Sequence, residues 1–119
     1  MTEAPRPVGA YTPVVRAGDW LVVSGQVGLA DGKIVSGGLA GELRQALANL
    51  EAQLATQGAT LGDVVKTTVF LRHMSDYVLM NEIYVEAFGD HRPARSAIGV
   101  AELPIGALVE VEAWAWVWE

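Results

Sequence analysis

Pro93-Ala94-Arg95-Ser96-Ala97-Ile98-Gly99-Val100 and, after the break Leu103-Pro104-Ile105-Gly106, the run Ala107-Leu108-Val109-Glu110-Val111-Glu112-Ala113-Trp114-Ala115-Trp116-Val117-Trp118 decide how this chain folds. Both runs alternate, so both predict β-strands. Every second side chain of a strand shares a face. Arg95 therefore lies with Ala97 and Gly99, a face that is small everywhere except at the guanidinium. In the second strand Val109, Val111, Ala113, Ala115 and Val117 form one apolar face. Glu110, Glu112, Trp114, Trp116 and Trp118 form the other. If the two strands are neighbours, Arg95 lies near Glu110, beside small residues that leave room for a ligand. Spacing alone leaves two readings open: a structural Arg–Glu pair on a half-exposed sheet, or a binding site.

Upstream, residues 64–72 predict a central strand. Val65, Thr67, Val69 and Leu71 make one face; Val64, Lys66, Thr68 and Phe70 make the other. Both are substantially apolar, so both sides of the sheet ask for cover. A helix over about 39–57 carries Leu39, Leu43, Leu47, Leu50 and Leu54 at steps of three and four, with Ala46 and Ala55 beside them. Glu42 is read as a first-turn acid that suits the helix dipole, and Gly58 as the stop. A second helix starts near Ser75 and Asp76, packs Tyr77, Met80, Tyr84, Ala87 and Phe88, and ends at Gly89. Residues 14–17 and 20–24 read as short strands around the Gly18-Asp19 turn. Gly25 permits a bend or a close backbone approach after Ser24. Asp31-Gly32 marks another turn, followed by a short strand at 33–35. Pro5 and Pro7 mark an extended N-terminal arm.

Strands, helix, strand, helix, strand, strand make an α+β chain with one domain over residues 1–119. Two helices cover one face of such a sheet. The other face is apolar, and an open apolar patch marks an interface. The reading is therefore an oligomer.

Composition removes whole classes of function. The chain has 8 basic and 14 acidic residues, a net charge of −6, which argues against a phosphate-backbone partner. There is no cysteine, so thiolate catalysis, disulfides and cysteine-based zinc sites are excluded. His73 and His91 lack metal-site spacing and read as surface residues. No apolar run approaches the roughly 20 residues of a membrane span. The N-terminus shows no charged-then-apolar leader pattern. A cytoplasmic protein is the expectation.

The chain resembles the RidA/YjgF/YER057c/UK114 family, formerly the endoribonuclease L-PSP family, of reactive-intermediate deaminases. The resemblance is carried by Pro93-Ala94-Arg95-Ser96, Val100, Leu103-Pro104 and Val109-Glu110-Val111-Glu112-Ala113. Further matches are Gly9-Ala10-Tyr11, Val23-Ser24-Gly25-Gln26 and residues 62–71, in one register over nearly the whole chain. It implies a chorismate-mutase-like mixed β-sheet with two helices packed on one face, assembled as a homotrimer with clefts between subunits. It implies hydrolysis of enamines and imines of the 2-aminoacrylate type to 2-oxo acids and ammonia. In that frame Arg95 matches the carboxylate-binding arginine and Glu110 the residue that moves protons. Tyr11 matches a hydrogen-bonding tyrosine and Ser24 the serine beside the ligand. Ala97 lies along the substrate, where many relatives carry cysteine. Ala10 stands for the proline of a Gly-Pro-Tyr element, and Gly28 for a common proline; these departures bear on substrate preference.

The chemistry asks for little else. An arginine fork binds a carboxylate in two places, and a positioned carboxyl group moves protons for an attacking water. The imine carbon is already electrophilic, so no metal and no cofactor is expected. Glu112 shares the strand face with Glu110 and reads as a rim acid. Two other functions stay open: a non-catalytic trimer that binds small 2-oxo acids, and a protein- or RNA-directed role of the translation-inhibitor kind. The acidic balance weighs against RNA.

Overall fold

The computed structural model describes residues 3–117. Trp118, which the alternation placed on the tryptophan face, lies outside them. The strands are β1 (Val14–Ala17), β2 (Trp20–Val27), β3 (Leu29–Ala30), β4 (Lys33–Ile34), β5 (Val64–Leu71), β6 (Ala94–Gly99) and β7 (Val109–Trp116). The helices are α1 (Gly38–Ala55) and α2 (Tyr77–Phe88). The main sheet runs β1-β2-β7-β5-β6. Only β5 and β6 pair in parallel; every other contact in this sheet is antiparallel. β3 and β4 form a separate hairpin closed by Asp31 (φ 52°) and Gly32 (φ 77°), the two positive angles that tight hairpins require.

The order corrects one expectation. β6 and β7 are consecutive in sequence but not neighbours, because β5 lies between them. β7, not β5, is the middle strand. The side chains account for it. Val109, Val111, Ala113 and Ala115 are all 0 % exposed, so β7 suits the centre. β6 is short, and Ala94, Ser96, Ile98 and Gly99 are exposed along it, which suits an edge. The parallel β5–β6 pair needs a crossover, and α2 supplies it.

α1 buries its leucine stripe against the sheet, with Leu43, Leu50 and Leu54 at 0 % exposure. Each such side chain contributes about 1.5–3 kcal/mol relative to exposure. Ala52, not Ala55, completes the stripe. In α2 Ile83 is buried where Ala87 was expected. Glu42 is not in the first turn: it is buried and its Oε1 accepts the Leu108 N–H at 2.8 Å. Gly58 (φ 74°) ends the α1 region as expected, with the Ala59 N–H turned back to the Leu54 carbonyl. Gly89 (φ 63°) ends α2.

β5 carries an irregularity between Val64 and Lys66 in its pairing with β7. It swaps the expected faces at that end: Val64 is buried with Thr67, Val69 and Leu71, and Val65 is exposed. Both helices pack on this buried face. The opposite face stays open. Trp114, Ile98 and Val15 are 43 %, 46 % and 48 % exposed there, and Trp20 packs edge-on against Trp114 and Trp116.

Candidate active site

Arg95 sits on β6 opposite Thr67, which in turn sits opposite Ala113. Thr67 and Ala113 are fully buried under the helices, so Arg95 points to the helix side. There it meets one face of α2. Its guanidinium donates to the Tyr77 hydroxyl oxygen at 3.1 Å and to Met80 Sδ at 3.6 Å. Its Cζ lies 5.0 Å from the Tyr84 ring centroid and 5.6 Å from that of Tyr77, a cation–π arrangement. Tyr84 is fixed in turn by a 2.7 Å hydrogen bond to Thr67 Oγ1 and by stacking on Phe88 at 4.5 Å. Burial raises the Tyr84 phenol pKa, against the opposing pull of the Thr67 hydrogen bond and the nearby arginine charges. Among the described residues Arg95 pairs with no carboxylate; its partners are the two tyrosines and the methionine.

Glu110 lies elsewhere. On β7 it sits opposite Phe70 on one side and Val27 on the other. It alternates with the buried Val109 and Val111 and therefore faces away from the helices. The expectation that Arg95 and Glu110 come together through neighbouring strands is not met: within one chain they occupy opposite faces of the sheet. β5 separates their strands, and the alternation of each strand sends the two side chains apart.

The surroundings of Glu110 are made by an absent side chain. A Cβ on Gly25 would stand 2.6 Å from Glu110 Cδ, so the carboxyl rests against bare backbone. Here β2 breaks register against β7, between Val23 and Gln26. The bend expected at Gly25 is this irregularity, and the close backbone approach is to Glu110. Burial raises the Glu110 pKa, and the Glu112 charge raises it further. A half-buried carboxyl of this kind holds a proton to higher pH than an ordinary glutamate.

Ser24 and Tyr11 lie near Gly25, Ser24 as its neighbour in β2 and Tyr11 across a cleft that Gly25 also lines. Ser24 Oγ donates to the Thr12 carbonyl at 2.7 Å, and its N–H to the Pro13 carbonyl at 2.9 Å. These bonds fasten the N-terminal arm along β2. Tyr11, on that arm, is 43 % exposed and accepts the Val8 N–H at 3.3 Å. Tyr11, Pro13, Gly25 and Gln26 line one small cleft. Gln53, buried on α1, holds the arm further back through the Pro5 carbonyl. Ala97 goes with Arg95 instead, opposite Val69 and packed on the edge of the core. The structure therefore separates the site residues: Glu110 rests on Gly25, with Ser24 next to that glycine and Tyr11 across a shared cleft from it, while Arg95 lies against α2 with Ala97 on the same face of β6.

Sequence reasoning placed Tyr77, Met80 and Tyr84 in a core stripe and did not see that they support Arg95. No spacing rule relates a residue on α2 to one on β6; the crossover does. No group of three or more metal-binding side chains occurs among the described residues. His91 Nε2 lies 2.7 Å from the Val64 carbonyl. Among the described residues no helix is long and apolar enough to cross a membrane.

A mixed sheet covered on one face by two helices, with a carboxyl niche on the open face and a supported guanidinium on the other, places the chain in the α+β class. The model of the family described as endoribonuclease L-PSP matches residues 1–117. The chain belongs to that family, which is the RidA/YjgF family. It is 43 % identical over 116 residues to a RutC family protein of Pyrococcus horikoshii, covering 96 % of this chain and 92 % of the other. It is 45 % identical over 116 residues to the 2-iminobutanoate/2-iminopropanoate deaminase of Mus musculus, covering 96 % and 86 %. Among solved structures it superimposes on RidA from a Psychrobacter species with a TM-score of 0.93 at 34 % identity, over 97 % of this chain and 94 % of that one.

Proposed function

We propose that this protein is a cofactor-independent deaminase that hydrolyses reactive 2-imino acids, and the enamines they tautomerise with, to 2-oxo acids and ammonia. The observation that carries the reading is the Arg95 guanidinium, half-buried, held on an aromatic shelf and without a carboxylate of its own. A buried or half-buried charge without a partner is costly, and a small carboxylate supplies that partner. The resemblance to proteins named as 2-iminobutanoate/2-iminopropanoate deaminases supplies the substrate class.

The chemistry divides among the residues as follows. Arg95 takes the substrate carboxylate. Glu110, as carboxylate, accepts a proton from the water that attacks the carbon of the protonated imine, and a neutral tetrahedral amino alcohol forms. The protonated Glu110 gives that proton to the amino nitrogen. The carbon–nitrogen bond breaks as the Glu110 carboxylate takes the hydroxyl proton, the hydroxyl becomes the carbonyl, and the departing ammonia carries that proton away as ammonium. A carboxyl whose pKa is raised by burial and by the Glu112 charge suits a group that both takes and returns a proton. In this reading Tyr11 and Ser24, both near Gly25, help to position the substrate, and Ala97 shares the strand face of Arg95.

One chain holds the guanidinium and the carboxyl on opposite faces, so the reading includes assembly: a cytoplasmic homotrimer of one-domain chains, in which the Arg95 side of one subunit meets the Glu110 side of the next. The open sheet face, with Trp114, Ile98 and Val15 exposed, supports association. The test is ammonia release from imines generated in situ by an amino-acid oxidase from a panel of amino acids. Release above the uncatalysed rate, lost in Arg95→Ala and Glu110→Gln, is the expected result. Binding of 2-oxo acids without any acceleration would replace the enzyme with a metabolite-binding trimer.

A further inference from the structure

We propose that Tyr77 is a positioning residue for substrate binding: its ring and hydroxyl hold the Arg95 guanidinium in the orientation that receives the carboxylate. The inference rests on the reading of Arg95 as the carboxylate anchor. Three contacts bear on it. The Tyr77 oxygen accepts an N–H of Arg95 at 3.1 Å, the Tyr77 ring lies 5.6 Å from Cζ, and Met80 Sδ accepts a second N–H at 3.6 Å.

A guanidinium has five N–H donors. The two contacts use one N–H on each terminal nitrogen. One further N–H on each, and the Nε–H, remain for a ligand, enough for a forked carboxylate contact. An arginine at a sheet edge would otherwise sample many rotamers, and ordering it on binding would cost affinity. The shelf removes that freedom beforehand. Its three members differ in a way that isolates Tyr77. Met80 and Tyr84 are 0 % and 3 % exposed and belong to the core, whereas Tyr77 is 38 % exposed at the start of α2. Tyr77 touches the guanidinium without being needed to fill the interior, so it can be changed with the fold intact.

The test is a double-mutant cycle between Tyr77 and Arg95, read by KM and kcat for imine hydrolysis and by the inhibition constant of a 2-oxo acid. Tyr77→Phe keeps the ring and loses the hydroxyl; KM and the inhibition constant rise about threefold, the scale of one net hydrogen bond. Tyr77→Leu loses both, and they rise roughly tenfold. In each variant kcat stays within about twofold. In an Arg95→Ala background neither substitution adds more than about twofold, because the residue acts through the guanidinium. Unchanged KM in Tyr77→Leu, a fall confined to kcat, or full additivity with Arg95→Ala would each overturn the proposal while leaving Arg95 as anchor. An Arg95→Ala variant with unaltered KM and inhibition would overturn the anchor itself, and this inference with it.

Discussion

The Arg95 shelf and the Glu110 niche are built by opposite means. The shelf is made of large side chains: two tyrosines and a methionine, one tyrosine pinned to Thr67, close around a charge from a strand edge. The niche is made of missing ones: Gly25 brings bare backbone against the carboxyl, and a register break in β2 makes the approach possible. The difference has an electrostatic purpose. Aromatic faces stabilise a cation without neutralising it, so Arg95 keeps donors for an anion. Burial against backbone, with a second acid nearby, disfavours the charged carboxylate, so Glu110 keeps a proton longer. A site for hydrolysing a charged imino acid needs one group that stays charged and one that changes charge.

Changing the niche should cost turnover, and changing the shelf should cost binding. Glu110→Gln sharpens this most. It removes the titrating group and should lower imine turnover by about 10²–10⁴-fold, while isothermal titration with a 2-oxo acid shows binding retained. Equal losses in binding and turnover would mean that the carboxyl is an anchor. Gly25→Ala comes next. The new methyl would overlap the carboxyl at 2.6 Å, and a shift of about 1 Å in a catalytic group costs up to about 10²-fold. Steady-state kinetics should show that loss mainly in kcat, with an unchanged far-ultraviolet circular dichroism spectrum.

Arg95→Ala addresses the shelf. Removing one partner of a buried ion pair costs about 3–5 kcal/mol, and a cleft open to water about half as much. At about 1.4 kcal/mol per decade, 2-oxo acid binding and turnover per unit substrate should weaken at least about tenfold. Arg95→Lys should recover part, since an ammonium lacks the planar fork. Light scattering should give the same assembly size for both variants as for the parent. Dissociation or unfolding of Arg95→Ala would make the arginine structural.

The smallest effect is expected at Glu112. Its charge helps to raise the Glu110 pKa, second to burial. The base form of Glu110 therefore appears only at higher pH than for an ordinary glutamate, and the acid limb of kcat/KM is displaced upward. Glu112→Gln removes one of the two causes and should move that limb to lower pH, leaving the plateau rate nearly unchanged. A limb that stays in place in Glu112→Gln but vanishes in Glu110→Gln would assign the whole shift to burial.

The strand around Glu110 was legible because alternation is a local property. Val109, Val111, Ala113 and Ala115 could share a face in only one way, and that face is the buried one. The leucines of α1 were legible for the same reason at a period of 3.6. The glycine at position 25 announced a close approach but not its partner. Face assignment failed at Val64 and Val65, where one irregular residue inverted the alternation. Glu42 failed too, because a buried carboxylate fastening Leu108 looks in sequence like a surface acid.

By itself, then, the sequence determined the element types, the faces of most strands and that one side of the sheet stays open, all of which follow from periodicity and helix count. The acid–base and carboxylate-binding roles of Glu110 and Arg95 came from the resemblance to the family, not from the pattern of the residues. Only the tertiary structure decided that β5 lies between β6 and β7, that Arg95 and Glu110 stand on opposite faces, and that α2 supports the arginine. Strand order is set by which strands can bury both neighbours' contacts at the centre and which can tolerate an edge. That competition involves residues 38 to 51 positions apart, from Leu71 opposite Val109 to Val64 opposite Ala115, and no local pattern records its outcome.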